Sequence, residues 1–195
     1  MAKFFYFFPI LFLLQVESYA ATTITIRQVG SSVQAVATGS LDLTGLANTS
    51  LQNPGARVRG AGPGANVIIG FVADTPADGY TSISGPSVIG SLGNLISADI
   101  GSGGPFGINM HLSRLLVPQG FTGGAVSANA TWSNNSIEGL GLFPGTYIYT
   151  WPGDSLTINI ERPAPIPTLG EWAMILMASL MGIFAFFRLS QVKLG

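Results

Sequence analysis

One histidine, nine carboxylates and no cysteine are all that this chain of 195 residues offers to acid–base, thiol or metal chemistry. His111 is the one side chain whose ordinary pKa lies near neutrality. It falls in a stretch where Phe106, Ile108, Met110 and Leu112 alternate with Gly107, Asn109, His111 and Ser113, which places it on the polar face of a strand. A Ser-His-Asp triad needs only one histidine, but no Gly-x-Ser-x-Gly elbow accompanies this one, so an exposed strand histidine is the reading adopted. Without cysteine there is no disulfide framework, no thiol nucleophile and no thiolate metal site, and a single histidine excludes a multi-histidine centre.

Asp74 and Asp78 share one proline-containing segment and have the oxygen chemistry that Ca²⁺ accepts. Their spacing lacks the D-x-D-x-D-G order of a calcium loop, and Asp in turns commonly binds nearby backbone N–H groups. Gly101-Ser102-Gly103-Gly104-Pro105 lacks the Gly-Lys-Ser/Thr ending and the following helix of a phosphate loop, and is read as a flexible connection. Arg57-Val58-Arg59 is a small basic spot, too sparse for a nucleic-acid partner. Tyr147, Tyr149 and Trp151 fall on one face of a strand. Exposed, they would form a platform on which a sugar ring stacks; buried, they would be core. No cofactor and no metal is expected.

Those side chains must be carried by a framework with few charges: 47% of residues are hydrophobic and 9% charged. The 26 Gly and 12 Pro favour a fold with many tight turns over helix bundles and coiled coils. Between residues 21 and 165 there are five arginines and seven acids, a net of −2 spread without runs. Alternation predicts strands at 23–27, 106–112 and 155–161, with further β-rich runs at 32–38, 67–73, 88–96, 125–132 and 146–151. Glycine- and proline-bearing breakers separate them, among them 53–55, 60–64, 75–79, 85–86, 144–145 and 152–153, and Gly30-Ser31 and Gly123-Gly124 offer hairpin turns. The expected fold class is all-β: a single β-sandwich-like body of short, mostly antiparallel strands.

The two ends read differently. Lys3 precedes an apolar run over residues 4–14, which is too short to span about 30 Å of hydrocarbon. Ser18-Tyr19-Ala20 puts small residues three and one positions before Ala21, the pattern a signal peptidase accepts. Residues 1–20 are therefore expected to be a cleaved signal peptide. Near the other end, residues 172–187 carry no charge and are followed by Arg188 and Lys193. Those 16 residues rise about 24 Å, so a span of about 172–189 needs Leu189 or Leu169 to cross. The basic flank would leave the C-terminus in the cytoplasm and the body outside the inner membrane.

Ile166-Pro167-Thr168-Leu169, then Gly170-Glu171-Trp172, an apolar helix and basic residues resemble the IPTL-CTERM sorting signal of Gram-negative bacteria. That signal is related to the PEP-CTERM signal read by exosortase-type membrane proteases. The resemblance implies that Ile166, Pro167, Thr168 and Leu169 form the recognition motif, with Glu171 and Trp172 beside it. It departs from the pattern at the end, where Arg188 and a distant Lys193 replace a cluster of arginines. Three phrases of the body are also similar to exported proteins carrying such tails. They are Ala37-Thr38-Gly39-Ser40-Leu41-Asp42-Leu43-Thr44-Gly45-Leu46, Leu115-Leu116-Val117-Pro118-Gln119-Gly120-Phe121 and Gly141-Leu142-Phe143-Pro144-Gly145-Thr146-Tyr147. They imply no activity.

The expected organisation is a signal peptide at 1–20, a β-sandwich body at 21–165 and a sorting tail at 166–195. The expected function is that of a non-enzymatic exported protein, held by its tail in inner-membrane lipid and destined for the cell surface or extracellular matrix. Signal peptidase and an exosortase-like protease would be its processing partners. Two alternatives are a carbohydrate-binding surface module using Tyr147, Tyr149 and Trp151, with an exopolysaccharide as partner, and a permanently anchored single-span protein.

Overall fold

The computed structural model describes residues 22–163 and 169–192, which form two compact units divided after Arg162. In chain order the body holds β1 (Thr22–Val29), β2 (Ser32–Thr38), β3 (Ser40–Leu41), β4 (Ala47–Gln52), β5 (Arg57–Arg59), β6 (Asn66–Ile69), β7 (Ala77–Thr81) and β8 (Ile96–Ser97). It continues with β9 (Ile100–Ser102), β10 (Phe106–Asn109), β11 (Arg114–Pro118), β12 (Gly124–Ala125), β13 (Ala128–Trp132), β14 (Gly145–Trp151) and β15 (Asp154–Ile160). The tail unit is one helix, α1 (Leu169–Val192).

Strict alternation builds the first sheet, ordered β14-β15-β1-β2-β13-β9. β1 turns into β2 through Gly30-Ser31, and the positive φ falls on Gly30, at 60°, as a type II′ hairpin requires. β15 lies parallel to β1, with Ile24 opposite Ile158 and Ile26 opposite Ile160. Every other ladder between named strands is antiparallel. The second sheet runs β4-β7-β11-β10-β6-β5-β8, and β12 pairs with β3 in a small third sheet.

One apolar cluster joins the two large sheets. Ile24, Ile26, Val33 and Ile158 come from the first, and Val58, Val67, Ile69, Phe106, Ile108 and Leu115 from the second. Each fully buried aliphatic or Phe side chain of this kind contributes about 1.5–3 kcal/mol relative to exposure. Trp132 is also fully buried, and its indole N–H donates to the Ile96 carbonyl at 3.1 Å, so its one polar group is satisfied.

Several sequence expectations need correction. The run at 88–96 is no continuous strand: Gly90 and Leu92 make isolated bridges, and only Ile96 begins β8. Gly90 there passes so close to Gly141 that a Cβ would sit 1.9 Å from its carbonyl oxygen, so backbone contact replaces a ladder. The run at 106–112 ends at Asn109, because the Asn109 carboxamide oxygen accepts the Leu112 N–H at 3.1 Å and closes a turn. The 67–73 run stops at Ile69. β4, β5, β7 and β11 were not anticipated; Asp78-Gly79 looks like a turn, yet Gly79 lies mid-strand opposite Leu116. Gly101 and Ser102 belong to β9 and pair with β13, so that segment is partly strand and not simply a flexible connection.

The helix presents apolar side chains on all sides: Trp172, Met174, Ile175, Leu176, Leu180, Ile183, Phe184 and Phe187 are each more than half exposed. Such a helix lacks the polar face of a surface helix. Ser179 donates its hydroxyl to the Ile175 carbonyl at 2.7 Å, which removes a free polar group from that surface. Among the described residues no helix is long and apolar enough to cross a membrane. The expected span at about 172–189 is corrected to that extent: residues 172–187, whose side chains are described, rise about 24 Å against about 30 Å of hydrocarbon.

Gly107 lies at φ 150° between Ile68 and Leu116, where a Cβ would meet the Val67 carbonyl oxygen at 1.9 Å. Gly107→Ala is expected to destabilise the body by about 2–4 kcal/mol, because backbone must move. Gly30→Asn, at a positive φ with open space around it, should cost no more than about 1 kcal/mol. Thermal unfolding of the full chain in neutral detergent checks both, and equal shifts would contradict the close-approach account.

Candidate functional site

The sorting residues fall at the edge of the described structure. Ile166, Pro167 and Thr168 lie outside the described residues, as do Lys193 and the signal-cleavage residues Ser18, Ala20 and Ala21. Leu169 opens α1, Glu171 and Arg188 lie within it, and Trp172 is 54% exposed. The tail therefore consists of a motif, a helix start and an apolar rod in direct succession along the chain.

The aromatic face is core. Tyr149 is 2% and Trp151 7% exposed, while Tyr147 is half-buried and packs against the same cluster. The expected alternative of a sugar platform on Tyr147, Tyr149 and Trp151 is thereby overturned. These residues point from an outer strand of the first sheet into the cluster, and Ile148 and Thr150 between them face out. Trp151 donates its indole N–H to the Asp42 carbonyl at 2.8 Å. Gly153, in the β14–β15 turn, lets that hairpin reach Thr44, whose carbonyl oxygen would lie 2.4 Å from a Cβ. Asp154 accepts the Asp42 N–H at 2.9 Å, and Asp42 accepts the Thr44 N–H at 2.8 Å. The Asp42 pKa is lowered, chiefly by the backbone and side-chain hydrogen bonds of Thr44.

Tyr149 has a second peculiarity. Its hydroxyl is buried without a hydrogen-bond partner, and burial, with the nearby Tyr147 second, pushes its pKa far up. The ring lies against Gly85, where a Cβ would come 2.4 Å from Cδ1. Beside it is a cavity of about 10 Å³ lined by Ile83, Gly85, Pro86, Met110, Ser113 and Tyr149, room for no more than a water. A wider hollow of about 240 Å³ lies over Trp151, Pro152, Gly153, Asp154 and Ser155.

His111 is exposed as expected, but in the turn after β10 and not within a strand; its N–H donates to the Ala65 carbonyl at 3.2 Å. Asp74 and Asp78 are not brought onto a common ligand. Asp74 accepts the Gly55 N–H at 2.9 Å and Asp78 the Gly120 N–H at 2.8 Å, so each tethers a different loop. Among the described residues no three of His, Cys, Asp and Glu gather closely enough to hold a metal ion. What sequence reading missed is that Arg57 and Arg59 share a sheet face with Arg114, since that depends on strand order and register.

Tyr149→Phe removes a hydroxyl that has no partner, and is expected to leave stability unchanged or raise it by up to about 1 kcal/mol. Trp151→Ala empties a core site and should cost about 3–5 kcal/mol. Thermal melts separate this from a surface platform, for which Trp151→Ala would leave the midpoint in place.

In comparison with known families, residues 164–191 fit the IPTL-CTERM motif. No curated protein and no solved structure matches the chain. The matched segment takes in Ile166-Pro167-Thr168-Leu169, Glu171, Trp172 and most of α1. The chain thus carries a C-terminal sorting signal of the PEP-CTERM type, which points to an exported, membrane-associated precursor.

Proposed function

We propose that this is a non-enzymatic exported protein of a Gram-negative envelope, whose β-sandwich body is delivered to the cell surface or extracellular matrix by its tail. The observation that carries the proposal is the family match over residues 164–191, coinciding with a helix that is apolar on every side. A rod of this kind is stable in hydrocarbon, where its backbone is satisfied internally and its side chains need no polar face. Signal peptidase would act before Ala21, and an exosortase-like protease would read Ile166, Pro167, Thr168 and Leu169 and release the body. Two large sheets sharing one apolar cluster support the sandwich reading of that body.

Mass spectrometry of protein recovered from envelope and medium tests the proposal by reading both termini. The expected species begins near Ala21 and lacks everything after the 166–169 region. Replacing Ile166, Pro167, Thr168 and Leu169 with alanine should retain the tail and leave the protein in membranes. An intact tail in the unaltered protein, found only in membranes, would make it a permanently anchored protein and remove the sorting step.

A further inference from the structure

We infer that folding of the body closes the signal-peptidase site, so that the signal peptide is removed before β1 is seated, whereas the tail can be cut from a body already folded. The inference rests on the proposed cleavage before Ala21 and adds to it the order of the two proteolytic steps. Cleavage there makes Thr22 the second residue of the mature chain, and Thr22 opens β1. Thr22 is fully buried, and its hydroxyl donates to the Ser40 carbonyl at 2.7 Å. Its backbone lies opposite Leu156 of β15. The next residue, Thr23, is paired on both sides, with Thr157 and with Thr38. Ile24 follows, fully buried in the shared core.

A peptidase takes its substrate extended, with main-chain groups on both sides of the scissile bond paired to the enzyme. On the carboxyl side of the bond between Ala20 and Ala21, the folded body claims the chain from the second residue onward. Presenting Thr22 and Thr23 to another protein lifts both out of the ladder, breaks the bond to Ser40 and draws Ile24 from the core. Molecules opened in this way are a minor population, and cleavage slows by the fraction they represent.

Chain order keeps the site open during export. The ladder between β1 and β2 begins at Thr23 opposite Thr38, so the local hairpin leaves Thr22 outside its register. The partner of Thr22 is Leu156, in the last strand of the body to be synthesised, and pairings so distant in sequence form late. The interval between the arrival of Ala21 and that of β15 is when the peptidase acts. The other end of the body differs. β15 ends at Ile160, and the exposed Glu161, Arg162 and Pro163 follow before the sequence reaches Ile166. The sorting motif thus does not continue directly from a buried strand, and a folded body leaves the second cut unhindered by β15.

The test adds purified signal peptidase to the full-length precursor in neutral detergent and follows the N-terminus by mass spectrometry. Three forms are compared: the unaltered chain, a chain with ten Gly and Ser residues inserted between Ala21 and Thr22, and Ile158→Asp, which puts a charge into the core and unfolds the body. The unaltered precursor should be cut at least about tenfold more slowly than either variant. The insertion keeps the body folded and moves the bond away from β1, while Ile158→Asp keeps the sequence around the bond and removes the fold. Melting curves verify the folded state of each form. An unaltered precursor that shows no melting transition, although the chain beginning at Ala21 does, would equally place signal removal before folding. Cleavage of a folded, unaltered precursor within about twofold of both variants would overturn the inference, as would rapid cleavage of Ile158→Asp alone. Absence of cleavage in all three forms would remove the signal-peptide reading and this inference with it, leaving the fate of the tail to be read at the C-terminus.

Discussion

The parallel pairing of β1 with β15 ties the first described strand of the body to its last, and the rest of the architecture depends on it. Through Ile24, Ile26, Ile158 and Ile160 this pair places four fully or almost fully buried branched side chains at the middle of the first sheet. The β1–β2 and β14–β15 hairpins then flank the pair, each with its apolar residues on the same side. A sheet with one apolar face must bury it, and here the burial is against Val58, Val67, Ile69, Phe106, Ile108 and Leu115 of the second sheet.

Scarcity of charge shapes the remainder. With 9% charged residues in the chain, carboxylates and amides that accept backbone N–H groups organise many of the described loops. Asp74, Asp78, Asp99 and Asp154 each accept a backbone N–H from a segment distant in sequence, and Asp42 accepts the N–H of Thr44 close by. Glycine completes the same economy of side chains. At Gly90, Gly107 and Gly153 a Cβ would strike a neighbouring carbonyl, so these positions allow strands and loops to touch through backbone alone. Strand order and register, for their part, bring the arginines of β5 and β11 onto one face of the second sheet.

The tail obeys a different physics from the body. The body pairs most of its backbone in ladders and caps and buries one apolar cluster between its two large sheets. The helix satisfies its backbone internally and displays apolar side chains, a surface that favours hydrocarbon over water. That division gives the export reading its physical basis: one unit suits water and the other hydrocarbon, within a single chain.

Much of this was readable from composition and periodicity. The strands at β1 and β15 follow from two-residue alternation, β2 and β14 from β-rich runs, and the tail motif and its apolar helix from local sequence, because each depends only on neighbours along the chain. β4, β5 and β7 were not readable: Asn, Arg, Asp and Gly there resemble turn residues and become strand only because a partner strand supplies their hydrogen bonds. Sequence put Tyr147, Tyr149 and Trp151 on one face, but whether that face met water or core depended on what packed against it. The same holds for Arg57, Arg59 and Arg114. Their types are local facts, whereas their meeting on one face around an unpartnered Asn66 oxygen was decided by strand order and register, which only the folded chain possesses.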